Sequence, residues 1–140
     1  MPVVERDIVL PVTRERAWEL ITEPAELEEW LADEVEFEAE EGALLHVVWR
    51  EGEGESTIRD GAARERVVER IGVVERVEPA ERVVFRWGAS ESGESRVEWR
   101  LDDHPDGTRF VVTEHRFVDD GVVWGPALSA MRATASLALA

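Results

Sequence analysis

The chain has 140 residues, of which 44% are hydrophobic and 34% are charged, a balance typical of folded globular proteins rather than disordered ones. Its formal net charge of −16 argues against binding to nucleic acids or anionic membranes, because both would repel it. Without cysteine or lysine, it can form no disulfide, thiolate nucleophile, cysteine-ligated zinc site or Schiff base.

The length predicts a single domain over residues 1–140. The sequence contains no apolar run near about 18 residues, so we expect no transmembrane helix. Its first residues lack a basic region followed by an apolar core, which gives no sign of a secretory signal peptide. The simplest expectation is a cytoplasmic protein with no cofactor and no metal ion.

The first part of the chain predicts one strand and then two short helices. Val3 to Val12 alternates between apolar and polar residues, as a half-buried strand does. Thr13 is a favourable N-cap for a short helix. Pro24 falls where a second short helix would begin, at a position that tolerates proline.

Six further strands are predicted after these helices. They are Glu34–Glu38, Ala43–Arg50, Val67–Val77, two strands within Glu81–Leu101 around a Gly/Ser turn, and Thr108–His115. The segment Glu51–Arg66 is rich in glycine and charge and favours a mobile loop.

The chain ends in a predicted helix from about Val123 to Ala140. Trp124, Leu128 and Met131 share one stripe, and Arg132 is the only charged residue of the helix. So little charge indicates that the helix is buried on more than one side. The same feature suggests the hypothesis of a homodimer through this helix.

This order of elements predicts an α+β fold. Sequential strands joined by short turns favour an antiparallel meander with one apolar face. That face and the apolar C-terminal helix can cover each other if the sheet curls around the helix. A cavity can then remain between sheet and helix.

Four segments resemble bacterial members of the START-like (SRPBCC) superfamily, and most closely the family homologous to the activator of the heat-shock-protein-90 ATPase. They are Arg14–Leu31, Val73–Trp87, Ser95–Asp102 and Gly107–Phe117. The resemblance implies a helix-grip fold, in which a seven-stranded antiparallel sheet wraps around a long C-terminal helix. It also implies a cavity for lipids, hormones or polyketides, or for chemistry on them. The eukaryotic co-chaperones carry a further N-terminal domain that has no counterpart here, so their function transfers poorly.

The strands within Glu81–Leu101 are expected to form one wall of the cavity. Trp87 and Trp99 would face the same way from neighbouring strands and build a wide apolar surface. The residues expected to line the cavity are Val73, Glu75, Phe85, Trp87, Val97, Trp99, Phe110, Val112, Glu114, Trp124, Leu128 and Met131.

Two glutamates share the expected inward parity. Glu114 alternates with Phe110 and Val112, and Glu75 alternates with Val73. A carboxyl group among apolar walls could act as a general acid or base, or bind a hydroxyl or an amine. The alternative for each is a bulge that turns the side chain outward, or an arginine that neutralises it.

Three hypotheses of function follow. The favoured one is binding of a small apolar or amphipathic molecule in the cavity between sheet and C-terminal helix. The second is an enzyme of the cyclase or hydrolase type that uses Glu75 or Glu114. The third is a co-chaperone-like module, which would have a filled core and an exposed apolar or acidic patch.

Overall fold

The computed structural model describes residues 3–52, 65–88, 94–116 and 128–133. No helix in these ranges is long and apolar enough to cross a membrane. The elements are β1 (Val3–Leu10), α1 (Arg14–Thr22), α2 (Pro24–Trp30), β2 (Glu34–Glu36), β3 (Leu44–Gly52), β4 (Glu65–Glu78), β5 (Arg82–Gly88), β6 (Glu94–His104) and β7 (Gly107–Arg116).

The seven strands form one antiparallel sheet in the order β1-β7-β6-β5-β4-β3-β2. From β2 to β7 each strand pairs with the next one along the chain, as the short turns predict. The first strand pairs with the last, from Val3 opposite His115 to Leu10 opposite Thr108. The predicted α+β fold with a seven-stranded antiparallel sheet is therefore confirmed.

The two helices close one end of the sheet. The Thr13 side chain caps α1, and Pro24 lies in the first turn of α2, as predicted. The Trp30 indole donates a hydrogen bond of 2.7 Å to the main-chain oxygen of Leu20, which joins α2 to α1. Arg14 donates to main-chain oxygens of β6 and of the turn before β5, which fixes α1 to the sheet.

Residues 128–133 are helical and pack against the sheet. Leu128 is 4% exposed and Met131 is fully buried, and both belong to the same buried apolar cluster as the central strands. The predicted C-terminal helix is thus confirmed over this segment. The rest of it, with Trp124, lies outside the described residues, as does 53–64 of the predicted loop. We call the side of the sheet that faces this segment the inner face.

The hairpin of β5 and β6 has the predicted alternation. The inward residues are at most 2% exposed, and they are Val83, Phe85, Trp87, Val97, Trp99 and Leu101. The alternate residues of these strands lie on the outer face, where Arg82 forms ion pairs with Glu78 and Glu98. This hairpin therefore forms a central part of the inner wall.

The orientation predicted for Val73 is wrong, because β4 uses the opposite parity. Val74 is 1% exposed and Arg70 is 6% exposed, whereas Ile71 is 58% exposed. Val73 is only partly buried and pairs with Leu44, which is 77% exposed. Even-numbered residues of this part of β4 thus face inward, and Val73 belongs to the outer face.

The inward orientation predicted for Glu75 is also wrong, for a different reason. The register shifts between Val74 and Arg76, so Glu75 is the extra residue of a β-bulge. Its carboxylate lies on the outer face, 3.2 Å from the Arg86 guanidinium and 3.1 Å from that of Arg96. The bulge and the arginine partners considered as alternatives are both present.

Candidate ligand-binding site

An aromatic cluster runs along the inner face from α2 to β3. Ring centroids are 5.5 Å apart for Trp30 and Trp99, 4.8 Å for Trp99 and Phe85, and 5.1 Å for Phe85 and Trp87. Trp49 follows at 5.8 Å from Trp87. Tilted and edge-on contacts of this kind are the arrangements that aromatic rings favour. The inner face therefore presents a continuous aromatic wall.

The structure brings most of the predicted lining residues together on this wall. They are 4% exposed or less, and they are Phe85, Trp87, Val97, Trp99, Phe110, Val112, Glu114, Leu128 and Met131. The seven of these residues that lie on β5, β6 and β7 share an orientation because of the two-residue period of the strands, whose antiparallel pairing sets the inward residues side by side. Leu128 and Met131 come from the C-terminal helical segment that faces them.

Glu114 is fully buried on the inner face, as the alternation of β7 predicts. It lies opposite Val97 of β6 and Val4 of β1 in the sheet register. Its carboxylate accepts a hydrogen bond from the indole N–H of Trp87, with 3.3 Å between Nε1 and Oε2. A carboxylate is thus held among aromatic and aliphatic side chains.

Arg70 is a second buried charged residue, and the sequence patterns did not predict its burial. Its guanidinium carbon lies 5.3 Å from the centroid of the Trp87 ring, a cation–π geometry. Arg70 has the same parity as Val68 and Val74, and this parity is a sequence signal for the inner face. The signal predicts the burial of Arg70 only when the bulge at Glu75 is taken into account. The indole of Trp87 therefore contacts a cation with its face and an anion with its N–H.

Ser95 completes a group of inward polar residues from four successive strands. It is 2% exposed and lies opposite Trp87 in the sheet register. We call Arg70 of β4, Trp87 of β5, Ser95 of β6 and Glu114 of β7 the polar cluster. Trp87, Ser95 and Glu114 each lie within two residues of a strand end, at the end of the sheet remote from α1.

The chemistry available to the polar cluster follows from its charges. Arg70 can only donate hydrogen bonds, and an ionised Glu114 can only accept them. The two together place hydrogen-bond donors and acceptors beside an apolar wall. Such an arrangement can orient a bound molecule without requiring that molecule to carry a charge.

A depression lies on the outer side of the sheet, away from the polar cluster. It is a shallow pocket of about 210 Å³, lined by Glu78, Glu81, Arg82, Arg100, Leu101 and Asp102. Hydrogen bonding from Arg82 is the main cause that lowers the pKa of the Glu78 carboxyl, and Arg76 adds to it. Arg100 is paired with Asp102 in the same way, and this contact raises the pKa of Arg100. These charges satisfy one another, which favours a structural role for the pocket.

Comparison with known families decides the classification. The family model described as Activator of Hsp90 ATPase homolog 1-like protein matches residues 11–126. The chain belongs to this family. The match begins just after β1 and includes both helices, β2 to β7 and therefore all of the polar cluster. No curated protein matches the sequence significantly.

Crystal structures of several proteins share the fold. The AHSA1 protein from Silicibacter pomeroyi is 19% identical, with a TM-score of 0.76 over 98% of this chain and 99% of that one. CalU16 from Micromonospora echinospora is 20% identical, with a TM-score of 0.68 over 98% of this chain and 76% of that one. DynU16, a protein in the dynemicin biosynthetic locus, is 20% identical, with a TM-score of 0.74. That match covers 97% of this chain but 48% of DynU16, so this chain spans about half of its length.

Proposed function

We propose that the protein binds a small, largely apolar molecule on the inner face, between the sheet and the C-terminal helical segment. The observation that carries this proposal is the burial of Arg70 and Glu114 around Trp87, inside a wall that is otherwise aromatic and aliphatic. The apolar wall would hold the body of the ligand, and the polar cluster would set its orientation.

The cost of burying charge supports this proposal over a purely structural interior. A buried ionised side chain loses its hydration, and replacing such groups with well-packed apolar residues is often neutral or stabilising. Packing alone therefore gives little reason to keep Arg70 and Glu114 on the inner face. Apolar pockets with a few convergent polar groups are the usual form of small-molecule sites.

The family relationship gives further support. The helix-grip fold sets a curled sheet against a helix, which is the arrangement that the resemblance links to ligand cavities. The structural likeness to DynU16, from a biosynthetic locus, is compatible with a small organic ligand.

Simple energetics indicates that both parts of the site are needed. Burying about 300 Å² of apolar ligand surface would contribute roughly 7 kcal/mol. Loss of translational and rotational freedom costs at least about 4 kcal/mol. Apolar contacts alone would thus give weak binding, and hydrogen bonds from the polar cluster would supply the remaining affinity and the specificity.

The proposal can be tested with N-phenyl-1-naphthylamine, a neutral apolar fluorophore that brightens when it leaves water. We expect saturable binding to the wild type and a loss of affinity of about tenfold or more in Val112→Phe, which enlarges an inner-face side chain. Val73→Phe makes the same change on the outer face and should bind like the wild type. Thermal unfolding would establish that both variants fold. Absence of saturable binding, or equal losses in both variants, would overturn the proposal.

A second candidate function rests on the full burial of Glu114. The carboxylate could remove a proton next to a ligand carbonyl whose oxygen is held by Arg70, and then return it, as a cyclase-type enzyme would require. Hydrogen–deuterium exchange of the methyl protons of 2-acetonaphthone would reveal this, with Glu114→Gln as the comparison. If the two proteins exchange these protons at equal rates, Glu114 has no such role.

A cytoplasmic location and a homodimer through the C-terminal helix stay predictions.

A further inference from the structure

The geometry around Trp87 fixes two opposite charges relative to each other. The Arg70 guanidinium lies over the ring, and the Glu114 carboxylate accepts from the ring N–H. The indole also packs edge-on against Phe85 and Trp49, so its orientation is held by rings on both sides. The positions at which a ligand would meet a donor and an acceptor are therefore set before binding, which lowers the entropic cost of recognition.

Charge repulsion limits which ligands this arrangement can accept. Arg70 and Glu114 contact the same indole, so an anionic head group attracted to Arg70 would be repelled by Glu114, and a cationic group attracted to Glu114 would be repelled by Arg70. In a buried site such like-charge contacts are poorly screened by solvent. The net charge of −16 disfavours the approach of anions still further.

An uncharged oxygen substituent avoids both repulsions. A hydroxyl group can donate to a carboxylate, which has room for about four hydrogen bonds, so Trp87 and a ligand can both donate to Glu114. A carbonyl oxygen can accept from a guanidinium, which carries five N–H donors. Both contacts are charge-assisted and so are stronger than hydrogen bonds between neutral groups.

We propose that the polar cluster makes the site specific for uncharged oxygenated molecules, with a ligand hydroxyl bound by Glu114 and a ligand carbonyl bound by Arg70. This proposal rests on the proposed function and adds the chemical class of the ligand. It excludes fatty-acid anions and organic ammonium ions as preferred ligands, although both are amphipathic.

Five probes with one ring system separate the contributions: naphthalene, 2-naphthol, 2-acetonaphthone, 2-naphthoate and 2-naphthylmethylammonium. All can be titrated against the full chain at neutral pH by calorimetry or tryptophan fluorescence. We expect 2-naphthol and 2-acetonaphthone to bind about tenfold more tightly than either charged probe. Naphthalene, which has no polar group, reports the apolar wall alone.

Two substitutions should change the preference in opposite directions. Glu114→Gln leaves Arg70 as the charged member, so the affinity for 2-naphthol should fall while the affinity for 2-naphthoate rises. Arg70→Met keeps a long apolar side chain and leaves Glu114 as the charged member. The affinity for 2-acetonaphthone should then fall while the affinity for 2-naphthylmethylammonium rises. The matched outer-face changes Glu75→Gln and Arg86→Met should leave the wild-type order of affinities intact.

The results distinguish this proposal from the one on which it rests. If the wild type binds none of the five probes, the proposed function itself is wrong. If naphthalene binds but a charged probe binds as tightly as the neutral oxygenated ones, only the assignment of ligand class is overturned. The same holds if Glu114→Gln and Arg70→Met bind naphthalene normally and keep the wild-type order.

Discussion

The indole N–H of Trp87 on β5 donates to the buried carboxylate of Glu114 on β7, reaching over the strand that lies between them. The contact connects residues 27 positions apart and lies wholly inside the apolar interior. It links the aromatic wall to the polar cluster, so the energetic effects of substituting the two residues should be coupled.

A double-mutant cycle can measure this link. Trp87→Phe removes the donor and Glu114→Gln leaves only a neutral acceptor, so the coupling in the free energy of unfolding should be about 1 kcal/mol, the difference between a charged and a neutral hydrogen bond. Urea unfolding of the wild type, both single variants and the double variant gives this value. The control cycle combines Glu114→Gln with Trp30→Phe, whose indole donates to Leu20 at the other end of the sheet. Coupling there should stay below about 0.5 kcal/mol, and equal coupling in both cycles would refute the contact.

Gly72 is expected to be essential for the position of Trp87, its partner in the sheet register. A Cβ at Gly72 would lie 1.8 Å from the main-chain oxygen of Arg86 and 2.7 Å from the Cα of Trp87. Gly72→Ala should therefore cost about 1–3 kcal/mol or more and alter the near-ultraviolet circular dichroism of the tryptophans.

Gly42→Ala is the matched control for that change. Gly42 has a φ of +87° and nothing within 4 Å of an added Cβ, so its substitution strains only the local backbone. We expect a cost of about 1–2 kcal/mol and an unchanged near-ultraviolet spectrum. A Gly72→Ala protein with the wild-type spectrum would contradict the close approach of β4 and β5.

The two glutamates assigned to opposite faces should respond differently to the same substitution. Glu75→Gln breaks exposed ion pairs with Arg86 and Arg96 and should change the free energy of unfolding by less than about 1 kcal/mol. Glu114→Gln alters a fully buried hydrogen-bonded group and should cost about 1–3 kcal/mol. Equal costs measured in urea would argue against this assignment of faces.

The network around Glu78 should make stability depend on acid pH. Hydrogen bonding from Arg82 lowers the pKa of Glu78 below its ordinary value of 4.5. The folded state thus binds protons less readily than the unfolded state at this group. The contribution of Glu78 to the free energy of unfolding is fully present above pH 4.5 and is lost as the pH falls through the lowered pKa.

The free energy of unfolding of the wild type and of Glu78→Gln, measured from neutral pH downward, tests this dependence. The wild type should be the more stable protein at neutral pH, and the difference should shrink below the ordinary pKa of the carboxyl. Salt should reduce the difference as well, because the groups are on the surface. A difference that stays constant or grows in acid would be incompatible with a lowered pKa.

The sequence predicted the inner face correctly where strands are regular. In β5 and β7 the two-residue period is unbroken, so Phe85, Trp87 and Glu114 could be assigned to the inner face by parity alone. The antiparallel order also followed, since short turns leave few other ways to pair successive strands.

The same reasoning failed in β4 because of one bulge. Apolar residues are more numerous at the odd positions Val67, Ile71, Val73 and Val77, which favoured the wrong face. The bulge at Glu75 restores Val77 to the core side but leaves the earlier odd residues outside. Nothing in the local sequence marks the bulge, so Arg70 was missed.

The contacts of the polar cluster were beyond sequence reasoning for another reason. Parity places Glu114 on the inner face but gives no information on how far a side chain reaches along a curled sheet. The approach of Arg70 to the Trp87 ring depends on that curl and on the register of three strand pairs.

Occupation of the inner face can be observed through the indole N–H resonances of the six tryptophans in a ¹H–¹⁵N NMR spectrum. The Trp87 signal is identified by its loss in Trp87→Phe, and 2-naphthol is then titrated into the wild type. We predict a saturable shift of the Trp87 signal at one ligand per chain. In Glu114→Gln, saturation should require a higher concentration of 2-naphthol. If all six indole signals stay unmoved at high 2-naphthol concentration, the inner face is a closed core and the proposed ligand site does not exist.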